Sequence, residues 1–116
     1  MTDIGRNGKM LMEKLGIKSL LSKLRRIHPS HHKKKSLIIR QIATILDNWI
    51  NRHDMRDEKN FLALAMVLES ISREDYYAYI ELIKITRYPR IYRQAVNHIK
   101  WVRLHRKLGG MVSIEL

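Results

Sequence analysis

A chain of 116 residues with a formal charge of +12 and no cysteine fits one domain that builds a modest core without disulfides, thiolate metal sites or thiol chemistry. Its longest unbroken apolar run, Phe61 to Leu68, is far below the roughly 20 residues needed to cross a bilayer. The charge is unevenly placed: residues 1–46 hold 11 Lys/Arg against 2 Asp/Glu, residues 47–81 hold 4 against 8, and residues 82–116 hold 8 against 1. Such a layout favours a polyanionic partner for the two ends and also allows head-to-tail self-contact through the acidic middle.

Residues 1–9 read as a mobile leader. Asp3, Gly5 and Gly8 stand where a secretory signal would have a positive patch feeding an apolar stretch, so export is not expected. Gly16 separates a short apolar turn, Met10 to Leu15, from an amphipathic helix over residues 17–28. There Ile17, Leu20, Leu21, Leu24 and Ile27 share one face, with Lys18, Ser22, Lys23, Arg25 and Arg26 elsewhere. A basic helix of this kind has three outlets: packing on the domain, lying on an anionic membrane surface, or meeting a nucleic acid or partner. Asp3 and Glu13 weigh against a mitochondrial targeting role.

Pro29 ends that helix, and Ser30 to Lys35 follows as a polar connector. Arg25, Arg26, His28, His31, His32, Lys33, Lys34 and Lys35 make the densest cationic patch in the chain. Two basic clusters across a short spacer resemble a bipartite nuclear-import signal; a phosphate-contacting loop and a solvated linker are the alternatives. The histidines are not expected to hold a metal, because the adjacent lysines repel a cation and no carboxylate or thiol completes a site.

Ser36 is placed to cap the next helix, with Ile38, Ile39, Ile42, Ile45, Leu46, Trp49 and Ile50 on its core face and Asp47 among the polar residues opposite. Trp49 reads as a packing anchor. After a turn at Asn51 to Met55, Asp54 with Asp57 or Glu58 marks another helix start. Phe61, Leu62, Leu64, Ala65, Met66, Val67, Leu68 and Ile71 are apolar almost all round, the profile of a central helix. Ser72 then reads as a cap, with Glu74 and Asp75 in the first turn. Capping explains these acidic clusters more simply than general acid–base catalysis or a divalent cation. In the following helix Tyr76, Tyr79, Ile80 and Ile83 share one side and Ala78, Leu82 and Ile85 another, which leaves Tyr77 exposed. The turn near residues 70–73 lacks glycine and the helix after it is tyrosine-rich, against a helix-turn-helix motif.

The last helix has both ends marked, Pro89 at its first position and Gly109-Gly110 as a stop. Arg90, Arg93, Asn97, Lys100 and Lys107 recur at three- and four-residue spacing on one flank, while Ile91, Ala95, Ile99 and Val102 line another, and no acid interrupts the run. Trp101, Leu104 and Leu108 form a second apolar stripe. It would stack on unpaired bases, receive a protein partner or second copy, or be buried between helices. His98 and His105 read as packing residues. The tail 111–116 alternates apolar and polar residues at strand period, with Ile114 and Leu116 available to add to a neighbouring chain.

The expected fold is all-α, a compact four- to five-helix bundle over residues 36–108, preceded by a basic segment 1–35 and followed by a flexible tail 109–116. Without a glycine-rich phosphate loop, nucleophile elbow or HExxH motif, neither an enzyme nor a cofactor is expected. The expected function is an intracellular accessory or regulatory factor, cytoplasmic or nuclear and of a size and charge that fit a virus or mobile element, binding RNA or DNA mainly through phosphates. Lys23, Arg25, Arg26, Lys33, Lys34 and Lys35 would serve from one end; Arg90, Arg93, Lys100, Arg103 and Lys107 would serve from the other, with Trp101 on a base. The alternatives are an adaptor or homodimer using Trp101, Leu104 and Leu108, and a peripheral membrane protein held by residues 17–28.

Overall fold

The most apolar stretch of the chain becomes its central helix. The computed structural model describes the backbone of residues 2–108 and the side chains of residues 8–101 and 104; within these the chain is all helical, with six helices and no strand. They are α1 (Thr2–Lys14), α2 (Ile17–Arg26), α3 (His32–Arg52), α4 (Glu58–Glu74), α5 (Tyr76–Ile85) and α6 (Pro89–Leu108). Helix α4 lies against α1, α5 and α6, while α3 lies against α2 and α5. Leu64, Ala65, Val67, Leu68 and Ile71 are fully buried, as an all-round apolar helix requires.

Helix α1 corrects the expectation of a leader: the chain is helical from Thr2. Gly5 and Gly8 lower helix propensity, but Gly8 has a packing role that propensity does not register. A Cβ built there would stand 2.6 Å from the Met66 Cβ on α4, so the missing side chain is what lets α1 approach. Gly8→Ala is expected to lower stability by about 1–3 kcal/mol through overpacking, read as a reduced urea midpoint.

Gly16, with φ at 76°, turns the chain into α2. Ile17, Leu21 and Leu24 on α2 join Met12 in the same buried cluster as Ile42, Leu46 and Leu82, so residues 1–35 and 36–108 share one core. Three of the five apolar residues on the face of α2 that would rest on a membrane are thereby inside the fold, with Leu20 and Ile27 half-buried. No helix among the described residues is long and apolar enough to cross a bilayer.

Three helix boundaries differ from expectation. Helix α3 begins at His32, after an N-cap, His31, that makes no side-chain cap bond, so Ser36 is an exposed interior residue and Lys33, Lys34 and Lys35 lie within the helix rather than in a connector. Lysine is a good helix former, and nothing in that run breaks the helix. Helix α4 continues through Ser72 to Glu74, and the cap of α5 is Asp75, whose carboxylate accepts from the Ala78 N–H at 3.1 Å. Asp57 caps α4 by accepting from the Lys59 N–H at 3.0 Å, while Asp54 accepts from the backbone and guanidinium of Arg56. Those bonds hold the Asp54 carboxyl below its ordinary range.

Candidate nucleic-acid interface

What aims α6 is a polar knot at its start. Asp47, on the side of α3 read as polar, is buried. It accepts from the Thr86 hydroxyl at 2.5 Å, the Arg87 N–H at 2.9 Å and the Tyr92 hydroxyl at 3.4 Å. Thr86 Oγ in turn accepts from the Tyr88 N–H at 3.1 Å, and the Tyr88 hydroxyl donates to Asn51 Oδ1 at 3.2 Å. Burial pushes the Tyr92 hydroxyl well above the ordinary phenol range, so it stays protonated. The α5–α6 corner is thus pinned to α3, with Pro89 at the first helical position.

From that corner Tyr92, Ala95 and Ile99 point into the core, with Ile91 and Val96 half-buried beside them. The helical repeat then puts Arg90, Arg93, Asn97 and Lys100 on the outer face, all exposed. Trp101 and Leu104 share that face, 53% and 52% exposed. The side chains of Arg103, Lys107 and Leu108, assigned to the same helix by sequence, lie outside the described residues, as does the tail 109–116. On the opposite flank His98 packs edge-on against Phe61, with ring centroids 5.7 Å apart.

Four acids of the middle segment are ion-paired, three of them to cations within four residues and Glu74 to Arg25 of α2. Glu69 pairs with Arg73 at 2.8 Å, Glu81 with Lys84 at 3.6 Å, Asp54 with Arg56 at 3.1 Å and Glu74 with Arg25 at 3.1 Å. None of the ion pairs among the described residues takes in Arg90, Arg93 or Lys100. Arg90, Arg93 and Lys100 are thus exposed and outside every ion pair found among the described residues. Arg25, assigned to the same function by sequence, is held by Glu74 instead.

The second basic group gathers where α2 ends and α3 begins. Lys23, Arg26, Lys33 and Lys34 are exposed, and the half-buried Lys35 places its Nζ 5.3 Å from the centroid of the Tyr77 ring. His28 Nδ1 accepts from the Ser30 N–H at 3.1 Å and lies 2.7 Å from its hydroxyl, and the His28 and His31 rings meet edge-on at 6.1 Å. Among the described residues no three His, Asp or Glu side chains are grouped to hold a metal ion.

Two features of the site escaped the sequence. Tyr76, placed on a buried side with Tyr79, is the more exposed of the first-turn tyrosines at 65%, against 50% for Tyr77. Its position just after the cap is the available signal, because first-turn residues overhang the end of the groove that the rest of the face lines. Asp47 offered no local signal, since its partners lie 39 to 45 residues away. No family model, curated protein or solved structure matches the chain.

Proposed function

We propose that the protein is a small non-enzymatic accessory or regulatory factor that binds RNA or DNA mainly through the phosphates. The observation that carries this is the outer face of α6: Arg90, Arg93 and Lys100 exposed in a row, without carboxylate partners among the described residues, beside the exposed ring of Trp101. Cations so placed release condensed counterions on meeting a polyphosphate, and an adjacent indole stacks on an unpaired base. The net charge of +12 adds long-range attraction.

A protein partner or second copy seated on Trp101 and Leu104 is the alternative, supported by the exposure of both. It differs in depending on Trp101 more than on the arginines and in responding weakly to salt.

The test is a fluorescence titration after nuclease and high-salt purification, with short single-stranded RNA and duplex DNA as probes. Trp49 is buried and stacked on His53, so the signal reports chiefly on Trp101. Binding is expected to weaken linearly in log–log form with added salt, by about 0.7 to 0.9 in slope per phosphate contacted. Binding that is absent, or indifferent to salt, overturns the proposal.

A further inference from the structure

The two basic groups come from opposite ends of the chain, and the first turn of α5 stands between them. On one side Lys35 covers the Tyr77 ring, with Lys33 and Lys34 exposed in the same turn of α3. On the other side Tyr76 and Lys100 line one open groove of about 310 Å³ between α4, α5 and α6, with Tyr79, Ile80, Val96 and Ile99 along it. Tyr76 leans on Tyr79, ring centroids 5.7 Å apart at a 37° tilt, and remains largely exposed.

Two of the carboxylates near this edge, Glu74 and the groove-lining Glu69, are ion-paired, and the third, Asp75, caps α5. Glu74 is held by Arg25, Glu69 by Arg73, and Asp75 is spent on the Ala78 N–H. Lys33, Lys34, Lys35 and Lys100 outnumber the one carboxylate here that is not ion-paired among the described residues, Asp75, so an approaching ligand meets a net positive edge.

We infer that Tyr76 and Tyr77 form a stacking platform for unpaired bases, and that the occupant of this edge is a single-stranded nucleic acid whose phosphates run from the Lys33–Lys35 turn to Lys100. The inference rests on the nucleic-acid function proposed above and adds its substrate class. A duplex hides its base faces and gains nothing from exposed flat rings, whereas every unpaired base offers a π-face. Lysines, as at the rim here, are depleted in protein–protein interfaces, which weighs against a protein occupant.

The test compares the wild type, the Tyr76→Ala/Tyr77→Ala double variant and the Tyr76→Phe/Tyr77→Phe double variant. The probes are an oligouridylate of about 12 nucleotides, within the usual span of single-strand sites, and a duplex DNA of the same length. The alanine variant is expected to bind oligouridylate about tenfold or more weaker, with the salt slope and duplex affinity unchanged, and the phenylalanine variant to bind like wild type. Unchanged single-strand binding by the alanine variant overturns the platform and leaves phosphate binding by α6 standing. Equal losses on both probes, or no rescue by phenylalanine, also overturn it, and a wild type that binds neither probe removes the wider function as well.

Discussion

Asp47→Ala is expected to lower the stability of the protein by about 3 kcal/mol or more, the largest effect of any single change to its polar groups. The carboxylate accepts from two close donors, the Thr86 hydroxyl and the Arg87 N–H, and from the more distant Tyr92 hydroxyl. Alanine leaves the buried Thr86 and Tyr92 hydroxyls without this acceptor, while the Arg87 N–H, at the part-buried edge of the site, is the one donor that water can reach. Each donor so stranded costs about 1–3 kcal/mol. A loss of that size is a large share of the roughly 5–15 kcal/mol that holds a domain together. Thermal unfolding should show a midpoint lower by about 10 °C, with Asp47→Asn intermediate because it keeps one acceptor and the shape. A midpoint unchanged in Asp47→Ala would mean that the α5–α6 corner is held by its apolar contacts alone.

Removing Arg90, Arg93 and Lys100 together, each to alanine, is expected to have the opposite signature: little change in stability and about a hundredfold loss of affinity for single-stranded RNA near 0.1 M salt. All three side chains are exposed and take part in no ion pair among the described residues, so the fold loses nothing by their truncation. Alanine is also the best helix former, which protects α6. The affinity estimate follows from counterion release, about 0.7 of a decade per contact at this salt for a single strand. Urea midpoints equal to wild type, measured alongside, separate lost contacts from lost structure.

Where one face of a helix does one job, its pattern was readable in the residues alone. On the isoleucine stripe of α3, Ile39, Ile42 and Ile50 are buried with Ile38 and Ile45 half-buried beside them, the all-round apolar α4 is central, and Pro89 opens α6. Where a residue answers to a distant part of the chain, local pattern points the wrong way. Gly8 argues against a helix by propensity, yet there α1 packs so near Met66 that a Cβ has no room. Asp47 sits on the polar side of α3, yet Thr86 and Arg87 draw it into the interior. At the candidate interface, the cationic row of α6 follows from three- and four-residue spacing. The juxtaposition of Lys35 with Tyr77, and of Tyr76 with Lys100, does not, because it depends on how α3, α5 and α6 are docked.

The salt dependence of RNA binding, measured side by side for the wild type and the Arg90→Ala/Arg93→Ala/Lys100→Ala variant, tests the α6 face most directly. If these three side chains neutralise phosphates, the log–log slope becomes shallower in the variant by about 2. Identical slopes in the two proteins would place the bound polyanion somewhere other than on α6.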